Sequence, residues 1–502
     1  MGDSTPTTNG SLQNVISTRQ FIFMALSSSI GAGVLLATYS GLAVGGPGSL
    51  LMSFAIVGFA VWITMCALGE LSAAFPANGS FYEYSTRFIS PAWGFSMGWN
   101  YAINFLLIVA FELVVMVVCV QYWTPIAPQY VLPAFIGGLI LVNAFGARWF
   151  AELENVFAVC KMLVLTSFVV VAIVILRKGV PSDSRPADQL GLHIWEKSAF
   201  KNGPAGFLYV FMTTGMSYGG TEILGLTAAE CKSPKKVMPL ACKLVPVRIC
   251  WLYLLPVLMV SLVLDVPLDS GAIAGGVSPF VAAMDQAGLH AVGTIFNSVI
   301  ILSIFSMAST SVFASSRALQ AISARGMGPA MLAKVKWGQP IWALGIVFIF
   351  SLLSFIKAAP SGDKIFEWLL ALAAGSNYVT WTSICVCHIR LRLAIRKKGL
   401  DEKEILQWKS PVGIVGSAVA IVVFLFGLSA QIAATARSPL PTPPHILSSL
   451  LGLIIVFVFW AGYTLFKRDR LWTPLNEIDL QPEEKECATG LRGSSDIESA
   501  MM

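Results

Sequence analysis

Four charged residues stand inside long apolar runs of this chain: Glu70 in CALGELSAAFP, Glu112 in IVAFELVVMV, Lys161 in NVFAVCKMLVL and Glu222 in GGTEILG. An ionisable group in such surroundings is costly to bury, so each needs either a fixed partner or a task that uses its charge. Glu222 follows directly on a cluster of glycines, Gly215, Gly219 and Gly220, in FLYVFMTTGMSYGGTEILGLTAAE. A carboxyl at that place is positioned to exchange protons in a coupling or gating role, with a fixed structural bond as the alternative. The Lys161 ammonium would reach carbonyls freed around Ser28–Ile30 and hydroxyls such as Ser303 or Ser306. The alternative for Lys161, the only charge in the apolar part of its run, is a side chain that extends to the nearby end of the membrane. Glu112 and Glu70 read as structural, Glu112 needing a backbone or hydroxyl partner, and His388 reads as interfacial. No nucleophile, base and oxyanion constellation emerges, so catalysis is not expected. Neither a metal cluster nor a cofactor motif is present, and Cys385-Val-Cys387 reads as helix packing.

A second unusual stretch is IFMALSSSIGAGVLL, Ile22 to Leu36, where Ser27, Ser28, Ser29, Gly31 and Gly33 interrupt an apolar run. Unwinding there would release backbone N–H and C=O groups, each costing several kcal/mol in hydrocarbon unless a ligand or cavity water satisfies it. N-terminal ends of half-helices suit a carboxylate and C-terminal ends suit an ammonium, so the pair describes an amino-acid zwitterion. The spacings Ser27, Gly31 and Ser29, Gly33 also fit a helix-packing interface of small residues.

The elements that must hold these groups are membrane spans. The 502 residues are 56% hydrophobic and 12% charged, with mean hydropathy +0.74, which excludes an ordinary soluble domain. Runs of ~20 apolar residues predict twelve transmembrane helices near 19–44, 49–75, 93–122, 131–147, 153–177, 204–228, 244–266, 287–322, 339–358, 365–391, 411–434 and 445–467. The two glycine-interrupted runs are the first and the sixth. They hold corresponding places in two five-helix halves, the sequence sign of an inverted repeat whose unwound segments meet at the bilayer midplane. The predicted class is an all-α membrane protein with a 5+5 inverted repeat and broken spans one and six.

No cleavable signal is expected, because the first apolar run follows a polar tail and is too long for an h-region. Twelve spans put both termini on one side, and Lys/Arg counts make that side cytoplasmic. Basic clusters such as Lys232, Lys235, Lys236, Lys243 and Arg248, then Arg390, Arg392, Arg396, Lys397 and Lys398, then fall inside. The formal charge of +6 is thus orientation charge, and no nucleic-acid partner is expected. None of the nine cysteines lies in an expected external loop, so no structural disulfide is expected. The sequons at Asn9 and Asn78 fall on the cytoplasmic side and should stay unglycosylated. The chain divides into a cytoplasmic N-tail (1–18), a transporter domain (19–467) and a C-tail (468–502). The C-tail, with its PEEKE and SSDIES stretches, reads as disordered, solvated or regulated by phosphorylation or ubiquitin at Lys485.

Four long motifs in order resemble the fungal amino-acid permeases of the amino acid–polyamine–organocation superfamily: SSIGAG, then LGELSAAFPANGSFYEYSTRFISPAWGFSMGWNYAINFLL, then GGTEILGLTAAECKSPKKVMP, then ASTSVFASSRALQAISARGMGP. The resemblance extends from residue 19 to about 467. It implies the leucine-transporter fold with two further spans, and proton-coupled amino-acid uptake across the plasma membrane. By this resemblance, backbone N–H groups of Ser29, Ile30, Gly31, Ala32 and Gly33 would hold the substrate carboxylate. Carbonyls of Ser217, Tyr218, Gly219 and Gly220 would hold the amino group, with Tyr218 as an aromatic gate. Glu222 would be a proton-sensing glutamate, and Lys161 would stand where sodium-driven relatives bridge helices with a sodium ion. This chain departs from the family in carrying Ser27 and Ser28 for glycines and Ala32 for threonine.

The leading expectation is a secondary transporter importing amino acids with protons. The alternatives are an exporter or exchanger of a specialised amine or amino-acid-derived metabolite, and a non-transporting amino-acid sensor, against which the short tails argue.

Overall fold

The computed structural model describes residues 15–76, 79–179, 190–231, 234–266, 277–358, 362–436, 443–468 and 470–480. The sequons at Asn9 and Asn78, together with Lys232, Lys485 and Cys487, lie outside the described residues.

The chain begins with α1 (Thr18–Ser27), α2 (Ala32–Leu35), α3 (Ala37–Ala74), α4 (Phe81–Phe88) and α5 (Pro91–Val120). Next come α6 (Pro128–Ala144), α7 (Ala147–Lys178), α8 (Leu192–Ser198), α9 (Gly203–Ser217) and α10 (Ile223–Ala229). Helix α11 (Pro234–Arg248) passes through a π-turn, Ile249–Leu254, into α12 (Leu255–Val263), and α13 (Pro279–Gln286) precedes α14 (His290–Ala324). The remainder is α15 (Ala330–Ala333), α16 (Ile341–Ser351), α17 (Gly362–Lys397), α18 (Glu402–Ile405), α19 (Gly413–Ala436) and α20 (Pro443–Lys467). Among the described residues, seven helices are long and apolar enough to cross a membrane, and Pro128–Ala144 and Ile341–Lys357 are shorter apolar helices.

Local chemistry sets the helix ends. Ser17 and Gln20 form a capping box at the start of α1, with Gln20 Oε1 accepting from Ser17 N–H at 2.7 Å, so two otherwise orphaned amides are satisfied. Ser90 accepts from Trp93 N–H at 3.1 Å and Pro91 opens α5, using the first-turn position where proline loses nothing. Hydroxyls inside the apolar helices bond back to their own turns: Thr38 to Val34 O at 2.6 Å, Ser311 to Met307 O at 2.8 Å and Ser315 to Ser311 O at 2.7 Å. Such bonds let polar residues sit within a membrane helix without an unsatisfied group.

The first and second apolar runs, separate in sequence, join without a loop. The chain turns at Gly46 (φ 80°), immediately before Pro47, and α3 resumes at once. Only glycine takes that φ without strain. The turn is held to the 199–201 segment by Gly48 N–H to Ala199 O (2.8 Å) and Lys201 N–H to Gly45 O (3.0 Å). In the assembled bundle α14 lies along α5, α3 lies against α9 and α11, and α17 lies against α19 and α20.

At one end of the bundle Glu70 is structural, as its position in the sequence indicates. Its carboxylate accepts from Arg392 Nε (2.5 Å), Arg392 Nη2 (2.7 Å) and Ser410 N–H (2.6 Å), with His388 Nε2 at 3.2 Å. His388 is not interfacial: it is fully buried, its Nδ1 2.8 Å from Ser417 Oγ, because the last turns of α17 are enclosed by α3 and α19. The tail also differs from expectation in its first part. Residues 470–480 dock on this end, with Thr473 N–H donating to Ile89 O (2.7 Å), Lys398 Nζ donating to Ile478 O (2.5 Å) and Trp472 lying 4.3 Å from the Arg390 guanidinium. Ile478 is buried there, an apolar anchor that the surrounding charge hides in the sequence.

Candidate functional site

The two interrupted runs do break, and the breaks meet. Helix α1 stops at Ser27 with Ser28 as its cap, the chain leaves helical geometry before Gly31, and α2 begins at Ala32. Helix α9 runs through Gly215 to Ser217, the chain turns over Tyr218–Glu222, and α10 follows. Gly33 packs so closely on the second break that a Cβ built on it would lie 2.6 Å from Ser217 Cα. Glycine is required for that approach of one backbone to the other.

Between the breaks lies a cavity of about 10 Å³, room for roughly one water molecule. Its backbone side is formed by Ser29, Gly31, Gly33 and Gly219, and its side-chain walls by Ile108, Glu112, Met216 and Met307. Of the nine residues assigned to substrate by sequence, Ser29, Gly31, Gly33 and Gly219 line this space. Ile30, Ala32, Ser217, Tyr218 and Gly220 flank it. Tyr218 turns away: its hydroxyl donates to Phe54 O at 3.0 Å and its ring stacks on Tyr253 at 4.6 Å. Gly220, at φ 90°, provides the left-handed turn at the middle of the break.

The carbonyls at the end of α1 are held by the protein's own donors. Arg248 Nη1 donates to Ala25 O (3.0 Å), Lys161 Nζ to Ser27 O (3.2 Å) and Tyr253 Oη to Ser29 O (3.0 Å). Two cations at a helix C-terminus match its partial negative charge. Arg248, which the sequence groups with a basic cluster at the cytoplasmic end, is fully buried. It stands 14 residues into α11, about 21 Å along the helix, and its Nη2 donates to Thr221 Oγ1 in the second break at 2.8 Å. The π-turn that follows puts Tyr253 beside it, and π-turns of this kind recur at functional sites.

Lys161 is fully buried, so it does not extend to the membrane surface. It reaches Ser306 Oγ at 2.8 Å, as expected, but takes the Ser27 carbonyl in place of those of Ser28–Ile30. It also has a buried acidic partner on the same helix. Glu154, two turns earlier on α7, is buried at 3.5 Å from Lys161 Nζ and accepts from Ser306 Oγ at 2.6 Å. In sequence Glu154 stands at the very start of the fifth apolar run; α7 begins earlier, at Ala147, which sets Glu154 about two turns inside the helix.

Glu222 stands at the far side of the second break. Its Oε1 accepts from Gly220 N–H at 3.3 Å and its Oε2 accepts from Trp381 Nε1–H at 2.9 Å, tying the turn to α17. Asn377, also on α17, donates to Gly215 O (3.3 Å) and accepts from Asn104 Nδ2 (3.0 Å). Neither asparagine is distinguishable in sequence from ordinary helix polar residues.

The largest revision concerns Glu112. Read as structural, it has the backbone partner it was expected to need, accepting from Ala32 N–H at 3.3 and 3.2 Å. That amide is one of those assigned to the substrate carboxylate, and the Glu112 carboxylate borders the cavity. The acid is therefore part of the site.

The family model described as "Amino acid permease" matches residues 20–474. Among curated proteins, the chain is 34% identical over 479 residues to "Amino acid transporter 1" of Schizosaccharomyces pombe, covering 93% of this chain and 82% of the relative. It is 33% identical to "Cationic amino acid transporter 1" of the same organism, covering 93% and 81%, and 36% identical to "Amino-acid permease inda1" of Hypocrea atroviridis, covering 91% and 82%. With a family match across nearly the whole chain and apolar helices that can span a bilayer, this multi-pass membrane protein belongs to the amino acid permease family.

Proposed function

We propose that this permease is a secondary active transporter that imports amino acids together with protons across the plasma membrane by alternating access. The observation that carries this reading is the meeting of two broken helices at a small cavity bordered by the buried Glu112 carboxylate. In hydrocarbon, unwound backbone is tolerated where it is buried in protein or lines a cavity, and here it does both. The twelve-span, 5+5 inverted-repeat architecture belongs to the same reading, as do cytoplasmic termini and the division into N-tail (1–18), transporter domain and C-tail (468–502).

Each ionisable group then has a task. Glu112 faces the substrate's ammonium, and the span-one amides face its carboxylate once Ala32 N–H is released. Lys161, paired with Glu154, holds the end of α1 to α7 and α14, occupying the place of a bridging cation. Glu222 senses protons, since each of its oxygens accepts from an N–H and protonation would remove the charge that strengthens both bonds. On the cytoplasmic side, Arg317 Nε meets Glu230 Oε1 at 2.9 Å, with Ile16 N–H donating to Glu230 O at 3.0 Å. This joins α14, the end of α10 and the N-terminal segment into a closed gate.

The Glu112–Ala32 bond favours a second reading, export or exchange of an amine that lacks a carboxylate. Flux in liposomes of reconstituted protein separates the two. Proton-driven accumulation of α-amino acids supports import of zwitterions, flux of decarboxylated amines alone supports the second reading, and folded protein without flux removes both in favour of a sensor.

A further inference from the structure

One side chain fills the space between the breaks. Met307, on α14, is almost wholly buried. A Cβ built on Gly31 would lie 2.6 Å from Met307 Cγ and 2.8 Å from its Cβ, and one built on Gly220 would lie 3.0 Å from its Cε. The thioether thus stretches from the first break to the second, across the place where a substrate would contact both. The remaining cavity, about 10 Å³, is smaller than any amino acid.

Binding therefore requires Met307 to move. Its unbranched chain has three rotatable bonds, so it can swing without disturbing the helix. The surrounding surfaces are less yielding. Gly33 already touches Ser217 backbone, Gly219 faces Asn377 side-chain atoms, and Ile108 closes the α5 side. The room gained is about that of the methionine stem itself, and a close-packed interior does not otherwise stretch.

Resting on the transport reading above, we propose that Met307 is a displaceable plug that sets the upper size limit on the substrate. It confines the wild-type protein to amino acids with small side chains, such as glycine and alanine. A pocket that excludes by bulk discriminates by about 10- to 100-fold per excess methylene or two.

The test uses the full chain in liposomes with an imposed proton gradient, measuring uptake of radiolabelled glycine, alanine, leucine and phenylalanine, with ligand-induced thermal stabilisation as a readout independent of flux. Wild type should prefer alanine to phenylalanine by about 100-fold in kcat/KM, and Met307→Ala should reduce that preference by about 10- to 100-fold. Phenylalanine should stabilise Met307→Ala but not wild type. Met307→Leu, close to methionine in volume, should keep the wild-type profile, and Met307→Val should shift it if Met307→Ala does not fold. Equal transport of alanine and phenylalanine by wild type, or the same size profile in wild type and the smaller variants, overturns the plug while leaving transport standing. Folded wild type with neither flux nor stabilisation by any amino acid overturns the transport reading and the plug with it.

Discussion

Gly33 and Ser217 hold the two chain breaks in backbone contact, with space for no side chain between them: a Cβ on Gly33 would lie 2.6 Å from Ser217 Cα. Backbone cannot swing aside as a side chain can. Gly33→Ala should therefore part the breaks at a cost of about 1–3 kcal/mol and abolish transport, while the protein still inserts. Gly31→Leu, driven into Met307 and Glu112, should do the same. Wild-type uptake in either variant would show that the breaks are not the transport site.

Lys161 and Glu154 form a buried pair, and removing one member strands the other. Lys161→Met should lower stability by about 3–5 kcal/mol, read as an earlier thermal transition in detergent. The double variant Lys161→Met/Glu154→Gln should recover most of that loss yet remain without proton-driven uptake. A single variant that melts with wild type would mean that the pair is not formed.

Much of this was legible in sequence, for identifiable reasons. The breaks announced themselves because serine and glycine runs conflict with an apolar helix, and Lys161 and Glu222 because charge conflicts with hydrocarbon. Arg248 and Glu154 gave little signal because each stands near the start of its apolar run; the helices begin well before those runs, at Pro234 and Ala147, and both residues are buried. Glu112 was visible as a buried charge, but its role depends on which way α5 faces, which an all-round apolar helix does not encode. Met307 gave no signal, since methionine in an apolar helix is ordinary core.

Glu222 accepts from two donors, Gly220 N–H and Trp381 Nε1–H. A proton on the carboxyl removes the charge that strengthens both bonds and loosens the span-six turn; lower external pH should therefore speed uptake. In Glu222→Gln the NH2 cannot accept, leaving one donor unsatisfied at a cost of about 1–3 kcal/mol. Because this variant can neither take up nor release a proton, its uptake should be nearly flat between pH 5 and 7. A wild-type pH profile in this variant would make Glu222 structural.

The Arg317–Glu230 pair is buried, and Arg317 also lies 3.9 Å from the Phe313 ring. Arg317→Glu should place two carboxylates together and open this end of the bundle, read as faster labelling of a cysteine introduced at Ser316. The exchange variant Arg317→Glu/Glu230→Arg should restore slow labelling in part. Equal labelling rates in all three proteins would remove the gate.

The central claim is tested most directly by radiolabelled amino-acid uptake into liposomes holding the purified chain, with and without an imposed inward proton gradient. The expected result is saturable accumulation that needs the gradient, collapses with a protonophore and is lost in Gly33→Ala. Uptake indifferent to the gradient would contradict proton coupling, and the absence of flux from folded, inserted protein would contradict transport itself.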